Sequence, residues 1–268
     1  MKIFIKWITP FLLLVTFLSF CNNNEEAVIK QADMPAKEKE LREAITKYPD
    51  SALLKESLIQ YFEDNGNIDV ALAETNKAIS KDSANPRLWD KKAALYLLKD
   101  DTANAITAYE TAIAIFPEPQ YIMAAGWLYA KTKNIKALEM ADALLLGQKA
   151  RALREALLIK GLYYNTIGDN NKAISFFNNC LAIDYTYMFA YREKAIVLYE
   201  MGKYEEAIAV LDKAVTLQNG FDEGYYWLGK CYEKLKKTDA AIDNYRKAVL
   251  YNADFIEARD ALAKLGVK

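Results

Sequence analysis

The chain has 268 residues, 53% of them hydrophobic and 26% charged, with 39 alanines but only 10 glycines and 6 prolines. Few turn residues and a surplus of the best helix former suit many short helices and exclude a sandwich, a barrel or a glycine-rich nucleotide-binding fold. The absence of histidine removes imidazole acid–base chemistry and most zinc, copper and non-haem iron sites, while 35 basic against 36 acidic residues give no bias toward nucleic acid.

Met1 to Phe20 begins with Lys2 and Lys6, runs through the apolar stretch Phe11-Leu12-Leu13-Leu14-Val15 and contains no acidic residue, the layout of a secretory signal peptide. Pro10 interrupts the run and Asn22-Asn23-Asn24 ends it before the roughly 20 apolar residues of a spanning helix; an uncleaved anchor is the alternative reading. Leu18-Ser19-Phe20-Cys21 resembles the lipobox of bacterial lipoproteins. That resemblance implies acylation of the Cys21 thiol and cleavage just before it, although Phe20 stands where the family usually has Gly, Ala or Ser. It also implies an envelope location, lipid-anchored at the outer membrane on its periplasmic or surface face, since several acyl chains hold far more firmly than one. Asn22 to about Pro35 has no apolar periodicity and reads as a flexible tether before a body covering 36–268.

The body repeats itself. Ala71, Ala105, Ala173, Ala207 and Ala241 are spaced by 34 or 68, and Ala78, Ala112, Cys180, Ala214 and Ala248 follow seven residues later at the same spacing. Ile59, Ala93, Gly161, Ala195, Gly229 and Ala263 form a third series. Three series in one register define tandem units, placed at about 52–85, 86–118, 119–153, 154–187, 188–221 and 222–255. A lone helix ending at Pro49 precedes them and a capping helix over 256–266 follows.

With Tyr225-x-x-Leu228-Gly229-x-x-Tyr232 followed by Ala241 and Tyr245, and Trp89, Ala93, Tyr96, Ala105, Tyr109 and Pro117 in the same order, the chain resembles the tetratricopeptide repeat family. The resemblance implies an all-α solenoid of antiparallel helix pairs. Small side chains then mark where helix axes approach, and stacking buries the face that one pair leaves bare. Gly66, Gly168 and Gly202 fall at one place in the turns within pairs, where a positive φ is easily adopted. The third unit departs from the period: Gly126 lies 33 residues after Ala93, Ala137 lies 32 after Ala105, and Leu144 to Arg151 carries compensating residues. A loop insertion is one reading, and a kink that splits the superhelix into two lobes is the other.

Cys180 and Cys231 occupy packing slots a whole unit apart, beyond the roughly 7 Å reach of a disulfide. No phosphate loop, nucleophile elbow or metal-ligand cluster appears, and the acidic pairs Glu63-Asp64 and Glu205-Glu206 sit beside turns, so neither an enzyme nor a cofactor is expected. In the family, certain first-helix positions face the concave side. Here they hold Arg87 and Asp90; Met123, Trp127 and Lys131; Phe189, Arg192, Ile196 and Tyr199; and Glu223, Tyr226, Lys230 and Glu233. Aromatic and Arg residues of this kind dominate binding hot spots. The family's carboxylate-gripping clamp is not matched, because its slots hold Glu56, Asp90, Met123, Leu158, Arg192 and Tyr226. The expectation is a non-catalytic scaffold or assembly factor that docks a protein or peptide partner in this groove, without nucleic acid. Glycan or cell-wall-fragment binding on the aromatic side chains is the alternative.

Overall fold

The computed structural model describes residues 34–147 and 149–267. The residues read above as a signal peptide, the expected lipidation site Cys21 and nearly all of the expected tether lie outside the described residues.

Fourteen α-helices and no strand make up the described residues: α1 (Ala36–Lys47), α2 (Ala52–Asp64), α3 (Ile68–Lys81), α4 (Pro86–Leu97), α5 (Thr102–Ile115), α6 (Pro119–Lys131), α7 (Lys136–Gly147), α8 (Lys149–Thr166), α9 (Asn170–Ile183), α10 (Met188–Glu200), α11 (Tyr204–Leu217), α12 (Asp222–Lys234), α13 (Thr238–Tyr251) and α14 (Ile256–Lys264). None of them is long and apolar enough to cross a membrane. Local chemistry sets many boundaries. The Ser51 hydroxyl, the Asn85 amide oxygen and the Asp101 and Asp169 carboxylates accept from backbone N–H groups in the first turns of α2, α4, α5 and α9. Pro86 and Pro119 enter α4 and α6 in the first turn, where no N–H is missed. The turns inside pairs close through a left-handed residue: Gly66, Gly168 and Gly202 at φ of 72°, 87° and 75°, with Asp100, Lys133 and Lys236 taking the same conformation elsewhere.

Each helix packs on the next, and the alanines of the period lie at the crossings: Ala71, Ala105, Ala173, Ala207 and Ala241 are wholly buried, as are Cys180 and Cys231. Bulky partners fill the adjoining space. A Cβ placed on Gly161 would stand 2.3 Å from Phe177 Cε1, and one on Gly229 would stand 2.5 Å from Tyr245 Cε1. Hence these two slots take glycine. The first helices of neighbouring pairs also touch one another, α6 with α8, α8 with α10 and α10 with α12, while second helices make no comparable contact among the described residues. The stack therefore curves with the first helices on its inner side.

The irregular third unit behaves differently from a loop insertion. Helix α7 runs to Gly147, α8 starts at Lys149, and α8 is 18 residues long where α4, α6, α10 and α12 have 12 or 13. The extra residues are absorbed as additional turns of α8, which keeps their backbone hydrogen bonds internal. Nor does the core divide there: one continuous cluster runs from Ala93 through Tyr121, Ala141, Ile159 and Phe177 to Val197.

The two described thiols are sealed in this core. Both are free, and burial pushes each up to about 12. The Cys180 thiol donates to the Arg154 carbonyl oxygen at 3.3 Å. Because the thiolate is the nucleophile, iodoacetamide at mildly alkaline pH is expected to leave both unmodified in the folded protein and to alkylate both in denaturant. Intact-mass analysis reads the difference, and labelling under native conditions would show that the helix pairs open readily.

Candidate docking groove

The inner side of the stack holds a cavity of about 840 Å³ between α6, α8 and α10. Its size falls within the roughly 300–1,000 Å³ typical of ligand pockets. Met123, Ala124 and Trp127 come from α6; Glu155, Leu158, Ile159 and Leu162 from α8; and Phe189, Arg192 and Glu193 from α10, with Tyr187 and Glu118 at its edges. This juxtaposition depends on the contact of first helix with first helix, which places like positions of three successive pairs around one space. Phe189 is 51% exposed, a large ring left to solvent, and the Trp127 ring carries Lys131 Nζ 3.7 Å from its centroid.

The cavity's polar groups are held in two ladders. Arg154 Nε donates to Glu155 Oε1 at 2.7 Å and Arg154 Nη1 to Asp184 at 2.6 Å. Arg192 Nε donates to Glu193 at 2.9 Å, and its Nη1 reaches both oxygens of Glu223 at 2.8 and 2.7 Å. Burial holds the Glu193 carboxyl above its ordinary range, with the Arg192 charge opposing the shift. Glu155 is 8% exposed, and its Oε2 is buried without a hydrogen-bond partner among the described residues.

Nine of the thirteen candidate groove residues separate into three groups. Met123, Trp127, Phe189 and Arg192 meet in the large cavity. Arg87 and Asp90 line a smaller one, of about 470 Å³, with Glu56, Gln60 and Lys91; Gln120 borders both cavities. There, burial raises the Asp90 carboxyl, Lys91 opposes this, and Glu118 adds to it. Tyr199, Tyr226 and Lys230 form the third group around Trp227: Lys230 Nζ lies 5.4, 5.7 and 4.8 Å from the Tyr199, Tyr226 and Trp227 ring centroids. Tyr226 also packs on Phe255, with centroids 5.0 Å apart. This group is largely occupied by its own cation and by Phe255 at the start of α14. Applied to α8, the same position rule also yields Glu155, Leu158 and Leu162. Glu193 lies off the rule, and only the packing of α10 reveals it.

Among the described residues no cluster of three or more Cys, Asp or Glu side chains is arranged to hold a metal ion. What the large cavity can do is bury apolar side chains against Met123, Trp127 and Leu158 while presenting carboxylates beside them. These features define a helical-repeat protein with an open cavity on its inner surface.

The tetratricopeptide repeat model matches residues 86–119, 155–187 and 222–255, and a second TPR repeat model matches 195–236. The chain belongs to the tetratricopeptide repeat family. A tetratricopeptide repeat protein from Parabacteroides merdae ATCC 43184 superposes with a TM-score of 0.71 at 22% identity, over 90% of this chain and 98% of that one. PilW, a type IV pilus biogenesis factor, gives a TM-score of 0.58 at 19% identity over 78% of this chain and 97% of its own. A chain of the APC/C hetero-tetramer Cut9–Hcn1 gives 0.57 at 18% identity, over 89% of this chain and 47% of that one. No curated protein matches the sequence at a significant level.

Proposed function

We infer that the protein is a non-catalytic scaffold that docks a protein or peptide partner on the inner face of its superhelix, tethered to a bacterial envelope membrane through Cys21. The cavity between α6, α8 and α10 carries the docking half of this reading, because it gathers apolar and charged side chains from three helix pairs in one place. The tetratricopeptide fold supports it as a protein-interaction architecture. The tether rests on the sequence: Lys2, Lys6, the apolar run and Leu18-Ser19-Phe20-Cys21.

The two halves are tested separately. Cys21→Ser is expected to move the protein from the membrane fraction to the soluble fraction, read by immunoblot after fractionation; retention on membranes would instead favour an uncleaved apolar anchor. Crosslinking in the native cell followed by mass spectrometry is expected to recover one dominant envelope protein, and Trp127→Ala to reduce its yield severalfold. Recovery that is indifferent to Trp127→Ala, together with binding to isolated sacculi, would shift the reading to a glycan ligand.

A further inference from the structure

Resting on the docking reading above, we propose that the cavity between α6, α8 and α10 selects a partner segment by a basic side chain, Lys or Arg, flanked by a large apolar residue. The charge balance of the cavity carries the first part. Four charged side chains line it, Glu118, Glu155, Arg192 and Glu193, so among the lining residues carboxylates outnumber cations three to one. The lining cation is already committed, since Arg192 is bonded to Glu193 and to both oxygens of Glu223, and the two cations beside the cavity are engaged as well, Arg154 with Glu155 and Asp184 and Lys131 over the Trp127 ring. A carboxylate ligand would therefore meet net negative charge and no uncommitted guanidinium, whereas an ammonium or guanidinium would meet attraction.

Glu155 supplies the second, independent observation. Three buried side-chain oxygens lack a hydrogen-bond partner among the described residues, those of Tyr121, Tyr191 and Glu155, and Glu155 alone of the three lines the cavity. A buried carboxylate oxygen left without a donor costs free energy that an incoming donor recovers. The terminal torsion of glutamate is soft, so the carboxylate can turn toward a ligand while Arg154 keeps its bond to Asp184. By contrast, the Tyr199, Tyr226 and Trp227 cluster already holds Lys230 and has no such vacancy in its bonding.

The apolar neighbour of the basic residue follows from the rest of the wall. Met123, Trp127 and Phe189 line the same cavity as Glu155 and Glu193, and Phe189 is half exposed. A segment that placed only a charge here would leave that surface wet.

The test is selection of a random dodecapeptide phage library on the full-length chain, solubilised in detergent and immobilised. Enriched peptides are expected to share Lys or Arg within two residues of Leu, Ile, Phe or Trp. Synthetic copies are expected to bind at least tenfold more weakly when norleucine replaces the basic residue, and to weaken similarly with Glu155→Gln or Glu193→Gln. The norleucine peptides probe the same contact without altering the protein, so a folding defect in either variant does not decide the outcome. Enriched peptides without a basic residue, or peptides indifferent to norleucine, would overturn the proposed selectivity while leaving groove docking intact. No enrichment above detergent-coated surface would overturn both.

Discussion

Phe177→Ala is expected to lower stability by about 3–5 kcal/mol, the range for emptying a buried aromatic site. For a chain of this size that corresponds to a fall of roughly 10 °C in the unfolding midpoint. The expectation comes from one place in the stack. Phe177 of α9 is wholly buried, and it fills the space that Gly161 of α8 leaves by having no side chain. Neither helix can move in to close the hole, because α8 is also held by α6 and α7. In a solenoid the damage stays near its source, since each pair contacts only its neighbours. Hydrogen exchange is therefore expected to lose protection in α8, α9 and α10 first and in the distant α2 and α3 last. A uniform loss along the chain, or a midpoint shift below a few degrees, would show that the Gly161–Phe177 contact is not the closely packed crossing described above.

Arg192→Met is expected to cost about 2–3 kcal/mol at neutral pH, somewhat below the usual cost of breaking a buried pair because both partners keep some solvent contact. The substitution preserves much of the apolar stem but leaves Glu193 without its counter-charge. Burial already holds the Glu193 carboxyl above its ordinary range, and Arg192 is the first of the charges opposing that shift. Removing it moves the carboxyl further up. The sign of the pH dependence follows: a carboxyl raised in the folded state binds its proton more tightly there than in the unfolded chain, so stability falls as pH rises through the raised value. The variant is thus expected to approach the parent in acid and to diverge from it toward neutral pH. Adding Glu193→Gln is expected to restore part of the loss and to flatten the profile. A deficit that is constant with pH would mean that Arg192 acts through packing rather than through charge.

Much of this architecture is legible in the sequence for a physical reason. A helix crossing tolerates only a small side chain, so repetition of the crossing writes Ala71, Ala105, Ala173, Ala207 and Ala241 into the chain at a fixed interval. The turns inside pairs are legible in the same way through Gly66, Gly168 and Gly202. They are less so at Asp100, Lys133 and Lys236, where polar residues adopt the left-handed conformation that glycine usually marks. The third unit is harder to read, because counting residues reveals an insertion but not its conformation. Whether the extra residues loop out or extend a helix depends on whether α8 finds packing for another turn. The groove residues were accessible as helix positions. Their division into an open cavity and a self-filled aromatic cluster was not, since it depends on which cation each ring already contacts.

The elongated α8 has a consequence for recognition along the superhelix. An array of identical hairpins offers a partner many equivalent placements, each displaced from the last by one unit, so binding energy is spread over several registers. Helix α8 breaks that translational symmetry. The stretch that supplies Glu155 to the cavity between α6, α8 and α10 belongs to the one first helix of irregular length, and no neighbouring unit reproduces the combination of an undersatisfied carboxylate with the surrounding apolar wall. A segment that seats there has a single address on the stack, so the irregular unit fixes the polarity and phase of whatever lies along the remaining helices.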